Sequence, residues 1–115
     1  MEPPVVIADD DVATIVVTGI GTDALGDPGY SLALANRTDR AVFVYAVTSS
    51  FTVNGAAHEA SLYEALEPGA DVGGFMSFLR DDLGGGTEAL QATEGTVEVV
   101  DKDTYETLAT YAFVM

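Results

Sequence analysis

Segment 32–55 contains the sequence pattern that most restricts the fold. Two apolar, strand-like runs at 32–35 and 41–48 flank the polar segment 36–40. A third short run at 51–53 ends at an Asn-Gly pair, which is typical of tight turns between paired strands. The pattern predicts a β-hairpin across segment 36–40 and a further turn at the Asn-Gly pair, at the centre of an all-β domain.

Similar short runs rich in Val, Ile and Thr follow one another along the chain, with turn residues about every ten positions. They predict an edge strand at 5–8, strands at 12–20, 30–35 and 71–79, and a closing hairpin of 95–100 with 105–114. The total is about seven to eight strands, which is typical of an antiparallel β-sandwich. No segment is long enough to be the crossover helix that parallel strands require.

Three segments lack strand alternation and are predicted to be loops. The Gly-Asp-Pro-Gly cluster at 26–29 is dense in residues that interrupt regular structure. Segment 57–67 is predicted to be a loop with one helical turn, because it is short and Pro68-Gly69 stops it. Segment 80–94, which contains three consecutive glycines, is predicted to be a loop with one or two helical turns. A Gly-Gly pair at 73–74 predicts a bulge or a close backbone approach.

Alternation within the strands gives a predicted core, because successive side chains of a strand point to opposite faces. Segment 41–48 is apolar on both faces, which predicts a central strand covered on both sides. Burying each large side chain contributes about 1.5–3 kcal/mol. The residues expected to point inward are Ile15, Val17, Leu32, Leu34, Val42, Val44, Val53, Phe75, Val97 and Val99.

The chain is strongly acidic. Asp and Glu number 19 against 4 Lys and Arg in 115 residues, for a formal net charge of −15. Such a surface repels phosphate backbones and anionic headgroups, which excludes nucleic acid as a partner and argues against docking on anionic lipid. The length predicts a single domain at 1–115, with 1–4 as a stiff, extended leader. The opening residues show no signal-peptide pattern, and no apolar run approaches the ~18 residues of a membrane span.

The chain contains no cysteine, which excludes a disulfide and a thiol nucleophile. A zinc site of cysteine and histidine is excluded as well, because His58 is the only histidine. A Ser-His-Asp triad would need a serine within hydrogen-bond reach of that imidazole, which lies in a segment predicted to be exposed. Carboxylates are abundant, so a small hydrolase using acidic residues is one alternative function.

Acidic clusters at predicted turns give a second alternative. Asp9-Asp10-Asp11, Asp81-Asp82 and the pair Asp101 and Asp103 offer the hard oxygen ligands that calcium prefers. No EF-hand loop is present, and turn propensity with solvation explains the same residues. Weak divalent-cation binding and a calcium-dependent adhesion-type module therefore stay open.

Two other motifs have simple structural explanations. Asn36-Arg37-Thr38 fits the N-glycosylation acceptor pattern, but Asn36 and Asp39 are also turn residues whose side chains bond nearby backbone groups. Gly84-Gly85-Gly86-Thr87 lacks the lysine and the spacing of a phosphate-binding loop. We predict a turn for the first motif and a flexible loop for the second.

Strand starts and turn residues follow a recognisable order along nearly the whole chain. That order is Asp10-Asp11, Ile15, Val17-Thr18-Gly19-Ile20, Leu32, Leu34, Asn36, Thr38-Asp39-Arg40, Phe51-Thr52-Val53-Asn54-Gly55, Leu66, Pro68-Gly69 and an acidic closing hairpin. It resembles the immunoglobulin-like (telokin-like) β-sandwich domains of Gram-positive bacterial surface lipoproteins of unknown function. The resemblance implies an exported, cell-envelope location and no known catalytic residues. The lipidated cysteine and its signal are absent, and Ala70 replaces the basic residue that often follows the Pro-Gly turn.

The sequence therefore predicts a non-catalytic binding or scaffolding module of the bacterial cell envelope, located outside the cell. The partner is an unknown protein or envelope component, and affinity would come from loops or an exposed sheet face. No catalytic, cofactor-binding or metal-binding residue is assigned, and no cofactor is expected.

Overall fold

The computed structural model describes residues 4–115, which form eleven strands. The predicted leader falls largely on residues 1–3, outside the described residues, and Pro4 precedes the first strand. The strands are β1 (Val5–Asp9), β2 (Ala13–Thr22), β3 (Pro28–Asn36), β4 (Val42–Ala46), β5 (Thr52–Val53), β6 (Ala56–Ala57), β7 (Ala60–Ser61), β8 (Tyr63–Leu66), β9 (Asp71–Phe78), β10 (Thr93–Asp101) and β11 (Thr107–Val114).

The strands form two antiparallel sheets, which confirms the predicted all-β sandwich. The first sheet has the order β1-β2-β3-β9-β7. The second has the order β6-β5-β10-β4-β8, and β11 lies on the opposite side of β10 from β4. Three of the eleven strands have only two residues each, so eight have four residues or more, in agreement with the predicted number.

Helical structure is confined to short turns, and the longest is α1 (Arg80–Leu83). A 3-10 turn at Thr87–Ala89 follows it, so the predicted loop with helical turns at 80–94 is confirmed. No helix in the described part of the chain, residues 4–115, has the length and apolar character needed to cross a membrane.

The predicted hairpin across segment 36–40 is wrong, because its two strands belong to different sheets. β3 pairs with β2 and β9, whereas β4 pairs with β10 and β8. The connection therefore arches from one sheet to the other. Both strands have one strongly apolar face, and a crossing between layers places the two faces against each other across the core, which a hairpin within one sheet would not do.

The core is close to the predicted one. Nine of the ten predicted core residues are buried, and the exception is Phe75, which is half-buried on the outer face. The register of β3 with β9 explains the error, because buried Tyr30 lies opposite Met76 and thereby turns Met76 and Phe78 inward. Phe51 and Phe113 complete a buried aromatic group that the prediction omitted.

Two predicted loops contain strands. Pro28 and Gly29 begin β3. Pro is tolerated as the first residue of a strand although it has no N–H to donate, and Gly allows a close approach to β9. A Cβ at Gly29 would lie 2.1 Å from the carbonyl oxygen of Met76. Segment 57–67 forms β7 and β8, because Leu62 and Leu66, four positions apart, also share one face of an extended chain and both are buried there.

Some of the other predicted details are confirmed and some are wrong. The Asn54-Gly55 turn is confirmed, with φ of 53° and 83° joining β5 to β6, as is the closing hairpin of β10 with β11. Of the two alternatives predicted at 73–74, a bulge or a close backbone approach, the bulge is wrong, since β9 keeps a continuous register with β3 there. The prediction that β4 is covered on both sides is also wrong. Its outer residues Phe43 and Tyr45 are only half-buried, because none of the strands described for residues 4–115 forms a third layer over the second sheet.

Candidate binding surface

Three aromatic side chains gather on the outer face of the second sheet, and we call them the aromatic face: Phe43, Tyr45 and Tyr63. Val42 and Val44 of β4 point into the core, so Phe43 and Tyr45 must point outward. β8 lies beside β4 with Tyr63 directly opposite Tyr45. The Phe43 and Tyr63 ring centroids are 4.9 Å apart with an interplanar angle of 34°, and Tyr63 is 64% exposed.

A fixed carboxylate borders the aromatic face. The hydroxyl of Tyr45 donates to Oε1 of Glu98 at 3.1 Å, and the hydroxyl of Thr110 donates to Oε2 at 3.1 Å. Burial raises the pKa of Tyr45, and the hydrogen bond to Glu98 and its negative charge raise that pKa further. Tyr45 therefore stays protonated and continues to orient Glu98 across the neutral pH range.

A shallow groove of about 490 Å³ adjoins the aromatic face where the chain passes from β7 of the first sheet to β8 of the second. Tyr63 and Leu79 both line it, and Leu79 is 56% exposed. Ala60 and Leu62 also line it although both are buried, and Glu59 is the only charged residue of the lining. The aromatic face and this groove together form an exposed, mainly apolar strip beside an edge strand.

The predicted acidic cluster at the β1–β2 turn is tied to its own backbone. Oδ1 of Asp10 accepts the N–H groups of Val12 and Ala13 at 2.9 and 3.1 Å, and both Asp10 oxygens accept the Tyr111 hydroxyl. Burial raises the pKa of Asp10, but these hydrogen bonds together lower it below its ordinary value. The negative charge of Asp10 thus stabilises the turn and the contact with β11.

The second acidic cluster behaves in the same way. Oδ1 of Asp101 accepts the N–H groups of Asp103 and Thr104 at 2.8 and 3.1 Å, and Arg40 lies 3.2 Å from Oδ2. The N–H groups of Thr104 and Asp103 lower the pKa of Asp101, with a further contribution from Arg40. Asp81 and Asp82 lie exposed on α1. Within residues 4–115, no group of three or more His, Cys, Asp or Glu residues is placed to hold a metal ion.

Asn36 has the turn role that its sequence suggested. It is 2% exposed, and its side-chain Nδ2 donates to the carbonyl oxygens of Arg40, Leu66 and Glu67 at 2.6, 3.3 and 3.1 Å. Its Oδ1 accepts the N–H of Thr38 at 3.0 Å. One buried amide therefore joins the β3–β4 and β8–β9 connections, which are two of the crossings between the sheets.

The remaining motifs, His58 and the glycine run, lie in separate connections between strands. His58 is half-buried in a depression that Ser49 and Asp82 also line, but no hydrogen bond joins these side chains in the described structure. In the glycine run, the N–H of Gly86 donates to Oε1 of Glu88 at 2.9 Å, and this contact lowers the pKa of Glu88. The loop thus binds a carboxylate of its own chain.

Sequence reasoning missed the aromatic face for a specific reason. The alternation of 42–45 places Phe43 and Tyr45 opposite the buried valines, so their outward direction was readable. The outward direction of Tyr63 could not be predicted, because its segment was predicted to be a loop.

Comparison with protein-family models, with curated protein sequences and with solved structures finds no match for this chain.

Proposed function

We propose that this chain is a non-catalytic binding module of the bacterial cell envelope and that its partner binds on the outer face of the second sheet. The observation that carries the proposal is the aromatic face, in which Tyr63 is 64% exposed although its ring lies against that of Phe43. Exposed aromatic rings beside an oriented polar group are typical of interaction surfaces, because they combine large contact area with low conformational entropy.

The rest of the molecule serves as a rigid support for this surface. Every buried side-chain nitrogen or oxygen found in the described residues has a hydrogen-bond partner. The strands that present the aromatic rings are anchored from behind by Val42, Val44 and Leu66, which are all buried. A partner that binds there would meet a pre-organised surface, which reduces the entropy lost on binding.

The envelope location and the immunoglobulin-like topology come from the resemblance to surface lipoprotein domains. The acidic surface is compatible with that location, because self-repulsion keeps such a domain soluble and separate outside the cell. A partner in the envelope is either a protein or a wall component, and a preparation of isolated cell walls contains both.

Co-sedimentation with isolated cell walls of a Gram-positive bacterium tests the proposal. We expect the wild-type domain to pellet with the walls in a saturable manner, and the variant Tyr63→Ser to remain in the supernatant. Tyr105→Ser is the matched control, because Tyr105 is 72% exposed in the turn between β10 and β11. Absence of wild-type pelleting, or equal loss in both variants, contradicts the proposal.

A further inference from the structure

We infer that the partner presents an extended, cationic polypeptide segment, which binds along the free edge of β8 with its basic side chains over the aromatic face. This inference rests on the proposed function and specifies its ligand. Three independent features support it: the position of β8 in its sheet, the chemistry of the exposed rings, and the charge of the chain.

β8 is an edge strand with one paired side. Residues 63–66 pair with β4, and the order of the second sheet ends at β8 within the described residues. The preceding β7 pairs with β9 of the first sheet and so leaves β8 at Leu62. An unpaired strand edge is a template for another extended chain, which gains main-chain hydrogen bonds by adding to it.

The side-chain pattern of β8 suits an added strand. Tyr63 and Ala65 both point outward and are exposed, and Ala65 lies directly opposite Phe43. Neighbouring strands lie about 4.8 Å apart, so a long side chain of an added strand can pass over the small Ala65 and reach the ring of Phe43. The next outward side chain of that strand, about 6.7 Å away, lies beside Tyr63.

The rings favour positive charge. The face of an aromatic ring attracts Arg and Lys side chains, and the tilted rings of Phe43 and Tyr63 lie close together, with their centroids 4.9 Å apart. Glu98, held by Tyr45 and Thr110, supplies a carboxylate on the same side of the sheet. The planar, weakly hydrated guanidinium of arginine is well suited to stack on an aromatic ring while it faces a carboxylate.

The charge of the whole chain selects the same partner. With 19 acidic and 4 basic residues, the chain attracts a cationic segment and repels an acidic one over a range of about 8 Å at physiological ionic strength. A second copy of this chain would carry the same net charge of −15 to the contact, so it is a poor occupant of this edge.

An NMR titration with a defined probe tests the inference. The probe is an acetylated and amidated peptide of alternating Arg and Thr, about eight residues long to match a typical strand. We expect saturable shifts of the backbone amide signals at residues 43, 45 and 63–66, with slow amide exchange appearing at Tyr63 or Ala65 on binding. An otherwise identical peptide with Glu in place of Arg should produce no such shifts.

Two variants separate the ring contacts from the edge contacts. Tyr63→Ser should weaken binding of the Arg-Thr peptide about fivefold or more, whereas Tyr105→Ser should leave it unchanged. A probe that is N-methylated at every second residue should bind much more weakly, because it cannot complete the main-chain hydrogen bonds. Shifts confined to the acidic turns at 9–11 and 101–106 would overturn the inference.

The two proposals can fail separately. Cell-wall binding that is competed by soluble wall glycans, together with no peptide shifts at β8, would overturn the cationic partner and keep the binding function. Peptide shifts at β8 without cell-wall binding would overturn the envelope function and keep the preference for a cationic segment. A variant that fails to fold is recognised by its amide spectrum and is replaced by Tyr63→Thr, which keeps a residue suited to strands.

Discussion

Two groups of aromatic residues occupy opposite environments in this small domain, and the difference shows how position in the sandwich decides whether a ring is buried between the sheets or exposed to solvent. The buried group packs between the sheets and consists of Tyr30, Phe51, Phe78 and Phe113. The aromatic face lies on the outside and consists of Phe43, Tyr45 and Tyr63. The buried rings meet edge to face, with centroids 5.7 to 6.4 Å apart, so each ring is enclosed by others. The rings of the aromatic face are less enclosed: Phe43 lies against Tyr63 and opposite Val100 of β10, and Tyr63 stays 64% exposed.

The polar atoms of the two groups differ in the same way. The hydroxyl of Tyr30 is 2.6 Å from Oγ1 of Thr93, and both residues are fully buried. The hydroxyl of Tyr45 instead binds Glu98, a carboxylate that borders the aromatic face. The buried group should therefore determine stability, and the aromatic face should determine binding.

The largest expected effect is the replacement Phe78→Ala. Phe78 is 1% exposed and its ring contacts those of Tyr30 and Phe51 edge to face, so truncation leaves a cavity lined by both. We expect a loss of about 3–5 kcal/mol in the free energy of unfolding, measured by urea denaturation. Phe43→Ala, as the matched change on the aromatic face, should cost clearly less. Equal losses would mean that both groups are structural.

A smaller effect is expected from adding a single methyl group at Gly95. A Cβ at this position would lie 2.4 Å from the ring of Phe51, which is itself 1% exposed and enclosed by Phe78 and Phe113. Gly95→Ala should therefore cost about 1–3 kcal/mol through overpacking.

Gly21 provides the control for that substitution, because it also lies in a strand but nothing is within 4 Å of the position its Cβ would occupy. Gly21→Ala should be close to neutral. The double variant Gly95→Ala with Phe51→Leu should lose less stability than the sum of the two single changes, since the smaller side chain makes room. Strict additivity would show that the ring of Phe51 is not the obstacle.

The same comparison shows why the fold was largely predictable from the sequence and the candidate site was not. Alternation within 12–20, 32–35 and 95–100 identified strands and their inward faces, because one buried face imposes a period of two. Alternation does not state which strands pair. The runs at 32–35 and 41–48 therefore suggested a hairpin, although they face each other from different sheets.

The buried aromatic group was missed because its members come from distant parts of the chain. Phe75 and Phe78 occupy opposite faces of β9, and only the pairing of Tyr30 with Met76 decides which face is buried. The aromatic face was missed in part for a local reason. The spacing of Leu62 and Leu66 fits both a helix and a strand, and the composition of the segment favoured a helical turn. Tyr63 could be placed beside Tyr45 only after the strand was known.

Replacing Tyr30 by Phe should have a moderate effect that depends on pH. Phe lacks the hydroxyl that satisfies buried Thr93, so we expect a loss of about 1.5 kcal/mol near neutral pH. Burial raises the pKa of Tyr30 above 10.0, although its hydrogen bond with Thr93 offsets part of that rise.

The direction of the pH effect follows from that raised pKa. Above about pH 10 the unfolded tyrosine loses its proton before the folded one, so the folded chain binds more protons and stability falls as the pH rises. Urea denaturation between pH 8 and about pH 11 should show a shallower decline for Tyr30→Phe than for the wild type. An identical decline in both proteins would mean that Tyr30 takes no part in alkaline unfolding.

The smallest effect on stability is expected at Tyr63, where the effect on binding should be largest. Tyr63→Ser removes a ring that is 64% exposed and contacts Phe43 with one face, so about 0.5–1 kcal/mol should be lost in urea denaturation. Phe78→Ala should lose several times as much stability while its remaining folded fraction still binds the Arg-Thr peptide. A loss at Tyr63 as large as that at Phe78 would contradict the distinction between the two aromatic groups, because the exposed ring would then be needed to hold the sheet together.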